Sequence, residues 1–117
     1  VTRKRLSAAG RRALIEDSAS EVFAERGYRG GSIEEIASRA GVSAPIVYDH
    51  FPSKAALFRH LLVRHFAELR QVWQNNLPGP EPAGERIGRA VDAWFAYTET
   101  HPFAARLLFR ENDADPE

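Results

Sequence analysis

Apolar positions along this chain recur at helical spacing, and alternation of period two is nowhere sustained, so the pattern predicts helices and no strand. The densest signal lies between Ser32 and Lys54. Ile33, Ile36, Ala37 and Ala40 fall at i, i+3, i+4 and i+7, which gives one small apolar face. Ser32 stands where an N-cap belongs, and Glu35, three residues on, predicts a capping box in which its carboxylate reaches back to the cap's own N–H. Gly41 stands where a helix ends in the left-handed region. Val42 then returns to the core. Either Ser43 or Ala44 caps a second short helix, with Pro45 in its first turn where a missing N–H breaks no helical bond. Phe51-Pro52 stops that helix after about two turns. Two short helices across a three-residue glycine turn form a helix-turn-helix, whose second helix is the usual major-groove reader.

The flanking pattern supplies the frame. Residues 1–9 read as an arm, followed by a helix from about Gly10 to Arg26 with Ile15, Ala19, Val22 and Phe23 on one side. Gly27 ends it, Tyr28 folds back over the bundle, and Gly30-Gly31 makes a permissive loop. The expected core of this three-helix bundle is Ile15, Val22, Phe23, Ile33, Ile36, Ala37, Val42, Val47, Phe51 and Leu57. Ser53 caps a long fourth helix from about Lys54 to Asn75, and its apolar stripe is broader than a small bundle requires. The prolines and glycines of residues 77–84 cannot continue a helix. A fifth helix from about Glu85 to Thr100 and a sixth from about Pro102 to Arg110 follow, before an acidic end. The predicted class is all-α: a helix-turn-helix domain over residues 1–53 with a basic arm, then the start of a second helical domain over 54–117.

Composition narrows the chemistry. Cysteine is absent, which removes disulfides and thiolate metal sites and suits a reducing cytoplasm. No apolar run reaches the length of a membrane span, and no signal peptide opens the chain. The chain opens on Val1 and holds no methionine, from which loss of an initiator is expected. Formal neutrality hides a gradient: residues 1–60 carry +3 and residues 61–117 carry −3. Arg3, Lys4, Arg5, Arg11 and Arg12 meet no acid in the first twelve residues, the footprint of a phosphate-seeking arm or, equally, of a solvated tail. The four histidines have no metal spacing, and no cofactor loop, nucleophile elbow or acid–base pair is visible, so neither an enzyme nor a cofactor is expected.

The run through Gly27-Tyr28, Ser32-Ile33, Ile36-Ala37, Ala40-Gly41-Val42-Ser43, Tyr48, Phe51-Pro52-Ser53-Lys54 and Leu57-Phe58 resembles the N-terminal domain of TetR-family transcriptional regulators. The resemblance is ungapped over about thirty residues and covers the first half of the chain. It implies a homodimeric regulator, most often a repressor, that binds a palindrome in double-stranded DNA and answers to a small-molecule effector. It also implies that further helices complete the second domain in a larger regulator.

On that resemblance the DNA-facing residues are Arg3, Lys4 and Arg5 of the arm, Ser32 and Ser43 at helix N-termini, Ala44, Pro45, Ile46, Tyr48, Asp49 and His50 of the reading helix, and Lys54 on backbone phosphate. Tyr48 packing the bundle and Lys54 as a solvated charge are the competing readings. Two departures stand out: the reading helix has no Lys or Arg, and Asp49 places a carboxylate where a polyanion would approach. These departures motivate a second reading, a regulator descendant that works through protein contacts. In the second half, Phe66, Trp73, Trp94, Phe95, Tyr97 and Phe103 either line an effector pocket, as the resemblance implies, or simply fill a core.

Overall fold

A computed structural model describes residues 7–109, without the side chains of residues 103, 104, 108 and 109. The described residues form helices α1 (Ala8–Gly30), α2 (Ile33–Ala40), α3 (Ala44–His50), α4 (Lys54–Asn76), α5 (Ala83–Thr100) and α6 (Pro102–Phe109), with no strand among them. The all-α class is as the periodicity predicts. Helix α1 begins earlier than expected because Ser7 accepts a hydrogen bond from the Gly10 N–H and so caps it inside the anticipated arm. It breaks at Gly27, whose φ of 76° only glycine enters freely, and one more turn follows to Gly30.

Caps decide the helix-turn-helix. Ser32 accepts from the Glu35 N–H at 3.1 Å, as expected of an N-cap. The other half of the predicted capping box is not made. The Glu35 carboxylate turns instead to Arg26, in a bidentate pair at 2.6 and 2.8 Å, and to Arg39 at 2.9 Å. Charge-assisted forks of this kind outcompete a bond to a backbone amide. Helix α2 closes in a Schellman motif, with Gly41 N–H on the Ser38 carbonyl, Val42 N–H on the Ala37 carbonyl and Gly41 at φ 76°. Helix α3 starts after Ser43, which holds the N-cap position as one of the two expected residues, but its hydroxyl makes no capping bond.

The core is one cluster. Ile15, Ala19, Val22 and Phe23 of α1 meet Ile33, Ile36 and Ala37 of α2, Val47, Phe51, and Leu57, Phe58 and Leu61 of α4. Val42 is only partly buried against it. Phe23, Tyr28 and Phe58 form an aromatic trio with centroids 4.9 to 6.0 Å apart, which welds the kinked end of α1 to α4. Leu107 of α6, 2% exposed, belongs to the same cluster. The apolar packing therefore runs through the boundary expected at residues 53/54.

Gly31 is not the conformational joint that the sequence suggests. Its backbone is ordinary extended chain (φ −79°, ψ 140°), and a β-carbon there would lie 2.8 Å from the Phe23 ring. Close approach, rather than freedom, is what the position requires.

Candidate nucleic-acid interface

Helix α3 is held from beneath and bare on its outer face. Val47 is buried, while Ala44 and Ile46 turn partly into the core, so Ile46 offers less of itself to a base edge than the sequence implied. Pro45, Tyr48 and Asp49 are exposed, Tyr48 at 47%. His50 is half-buried, and its carbonyl accepts from Arg12 at 3.3 Å. The Arg12 guanidinium also lies 4.2 Å above the Phe51 ring. Tyr48 therefore does not pack the bundle; its phenol stands outward from the middle of α3.

Lys54 is not the solvated charge of the competing reading. Its Nζ donates to the carbonyls of Tyr28, at 2.9 Å, and Gly31, at 3.1 Å, and sits 4.5 Å from the centre of the Tyr28 ring. Two of the three ammonium protons thus staple the last turn of α1 and the loop after it to the start of α4. Arg3, Lys4 and Arg5 lie outside the described residues.

Surface ion pairs tie α2 to α1. Arg39 reaches Glu25 at 2.8 Å, Glu35 at 2.9 Å and Glu21 at 3.3 Å. Hydrogen bonds from Arg39, above all, hold the Glu25 carboxyl below its ordinary range, and Arg26 does the same for Glu35. Sequence reasoning missed this set, since Arg39 lies 18 and 14 residues from Glu21 and Glu25 and no local pattern pairs them.

The five aromatic candidates of the second half whose side chains are described do not share one pocket. Phe66 and Trp73 share an open groove of about 470 Å³ along α4 with Leu69, Arg70, Gln74, Leu77 and Pro78. Trp94 and Phe95 meet each other edge to face at 5.1 Å, and Phe95 is exposed. The Phe103 side chain lies outside the described residues. Tyr97 belongs to a polar knot, because its hydroxyl donates to Glu68 at 3.0 Å and its ring stacks on His101 at 4.3 Å. Burial first, then the bond to Glu68, pushes the Tyr97 hydroxyl up to about 12.

His65, buried on α4, completes that knot. Its Nε2 lies 3.1 Å from the Ser20 hydroxyl of α1, and its Nδ1 lies 3.3 Å from Glu68. A neutral ring that donates from Nδ1 to the carboxylate and accepts from the serine hydroxyl satisfies both contacts. Burial lowers the His65 pKa, against the support of Glu68. A signal for this was present: His65 sits four residues beyond Leu61 on the apolar stripe of the fourth helix.

Among the described residues, no group of three or more His, Asp or Glu is placed to hold a metal ion. No helix among them is long and apolar enough to cross a membrane.

Comparison with known proteins places this architecture. Residues 15–61 match the family described as bacterial regulatory proteins, tetR family. The HTH-type transcriptional activator FasR of Mycolicibacterium smegmatis is 41% identical over 103 residues, covering 88% of this chain and 47% of the relative. A TetR-like transcriptional regulator from Rhodococcus sp. RHA1 superposes with a TM-score of 0.84 at 26% identity, over 91% of this chain and 58% of that one. A gamma-butyrolactone receptor (ArpA like protein) superposes with a TM-score of 0.77 at 26% identity, over 90% and 52%. The chain spans about half the length of the curated relatives it matches. With a family match over residues 15–61, a relative 41% identical and a fold shared with a TetR-like regulator over 91% of the chain, this protein carries the helix-turn-helix domain of the TetR family of bacterial regulatory proteins.

Proposed function

We propose that this chain is the DNA-binding end of a ligand-responsive transcriptional regulator that acts in the cytoplasm as a homodimer on a palindromic operator, and that it is not an enzyme. The observation that carries the reading is the outward Tyr48 on a recognition helix that its neighbours hold from below. Tyr48 and Pro45 supply apolar contact to a base edge or sugar, Asp49 accepts from a cytosine amine, and Ser32, Ser43, His50 and the third Lys54 proton serve phosphate. Arg3, Lys4 and Arg5 track a minor groove. With no Lys or Arg on α3, sequence preference rests on shape and apolar contact more than on guanine readout.

The direction of regulation follows from where the operator lies relative to the promoter. Repression is the commoner mode that the family resemblance implies, while the relative from M. smegmatis is named an activator. An effector acts by favouring one arrangement of the second domain over another, which changes the spacing of paired recognition helices. Phe66, Trp73, Trp94, Phe95, Tyr97 and Phe103 remain the proposed effector-facing set, with Phe66 and Trp73 sharing a groove.

Selection of bound duplexes from a random pool tests the reading. The expected product is a palindrome with half-site centres one helical turn, about 34–36 Å, apart or a multiple of that. Tyr48→Ala should weaken the selected duplex by about 1–3 kcal/mol and a scrambled duplex much less; equal losses would remove Tyr48 from base reading. The exposed Asp49 favours one rival, a module that binds protein rather than DNA. Absence of any salt-sensitive DNA binding at low ionic strength would decide for that rival.

A further inference from the structure

Helix α3 is two turns long and its N-cap serine makes no capping bond, so its attitude must be set from outside. One side chain does this at its far end. Arg12 of α1 donates from Nη1 to the His50 carbonyl at 3.3 Å, covers the Phe51 ring at 4.2 Å, and places Nε 3.3 Å from the Glu16 carboxylate. The last carbonyls of a helix lack intrahelical partners and carry its partial negative charge, so a guanidinium there is doubly favoured. The planar fork serves a carbonyl and a carboxylate together, which a lysine ammonium does with less geometric constraint.

Glu16 is the more telling partner. Its side chain is only 13% exposed, and it meets three cation-capable groups: Arg12, Arg64 of α4 at 2.6 Å, and His60 of α4 at 3.3 Å. Arg64 continues to Glu68 at 3.3 Å, and Glu68 accepts from Tyr97 of α5 at 3.0 Å. A continuous polar chain therefore runs from the last turn of α3, through one carboxylate on α1, to α4 and α5.

We propose that Arg12 is the positioning residue of the recognition helix and that Glu16 is the joint through which α4 sets it. This rests on the DNA-binding reading above. It makes a prediction opposite in sign to simple electrostatics. Glu16→Gln removes a negative charge from a DNA-binding protein, which by charge alone tightens binding to every duplex. A positioning role requires that the same variant lose discrimination.

The test uses the whole chain as wild type, Glu16→Gln and Arg12→Lys, on the duplex selected by the wild type and on a scrambled duplex. Amide exchange is followed without DNA. Both variants should lose about tenfold in the ratio of selected to scrambled binding, with scrambled binding kept or tightened. The Val47 and Phe51 amides should exchange about tenfold faster in both while those of Ile36 to Ala40 stay unchanged. Arg12→Lys separates positioning from charge, since it restores discrimination if Arg12 acts on phosphate as a charge. Wild-type exchange in α3 of both variants overturns the proposal, as does Glu16→Gln tightening both duplexes alike. A wild type that enriches no sequence would defeat the DNA-binding reading instead, and the exchange data would still decide this one.

Discussion

Lys54 and His65 carry more of this molecule's behaviour than their surface-like residue types suggest. Lys54 commits two ammonium protons to the Tyr28 and Gly31 carbonyls and leaves one for a phosphate. Lys54→Ala is therefore expected to show two effects: a salt slope smaller by about one, and a loss of about 1–2 kcal/mol in urea unfolding. A stability loss with an unchanged slope would make Lys54 a staple only. His65 binds its proton less readily in the folded chain than in the unfolded one, because burial disfavours the imidazolium. As pH falls below about 6.5, the unfolded chain takes up protons that the folded chain refuses, so stability declines. Above that pH both forms are neutral and the effect vanishes. His65→Gln should flatten the slope of stability against pH just below 6.5, measured by urea melts at closely spaced pH values; an unaltered slope would place the titration elsewhere.

At the scale of elements, α2 is joined to its neighbours, α1 before it and α3 after it, by two glycines that act for different reasons. Gly41 needs positive φ but has open space around it, whereas Gly31 has ordinary dihedrals and a phenyl ring against it. Alanine at Gly41 is expected to cost about 1–2 kcal/mol through backbone strain, and at Gly31 about 1–3 kcal/mol through overpacking on Phe23. Asparagine separates the two causes, since it tolerates the left-handed region and should recover stability at Gly41 but not at Gly31. Denaturant midpoints report both, and equal recovery at the two sites would contradict the distinction. The turn at Gly41 was legible in the sequence because the signal is local. The crowding at Gly31 was not, because it depends on a ring eight residues back that only the packing of α1 brings over the loop. Glu35 makes the same point: the sequence offered it a local amide, and tertiary packing brought Arg26 of α1 beside Arg39 of its own helix.

For the whole molecule, the described fold is a thin slab, 53 × 41 × 20 Å, with a radius of gyration of 16.9 Å. A compact chain of this length would have about 13–14 Å. Two helix layers fill the short dimension, and Val63, Phe66, Ile87 and Phe95 stay exposed on it. Yet α6 is not a loose appendage, since Leu107 closes the same core that holds the helix-turn-helix. Leu107→Ala should destabilise the whole by about 2–5 kcal/mol in a single cooperative transition. Loss of α6 alone, with α1 to α3 melting as before, would show that α6 is not energetically part of that core. The helix pattern gave no way to foresee this contact, because a short apolar helix carries no mark of which neighbour it meets.

Helix number among the described residues, the caps at Ser32 and Ser53 and the left-handed glycine at Gly41 were legible in the sequence alone, since each depends on residues within a few positions of one another. What the tertiary structure decided was where long, charged side chains go. Arg12, Glu16, Lys54, Arg64 and His65 each had a solvated state open to them on sequence grounds. Their partners lie from about one helical turn to nearly half the chain away, and only packing brings the distant ones within hydrogen-bond reach.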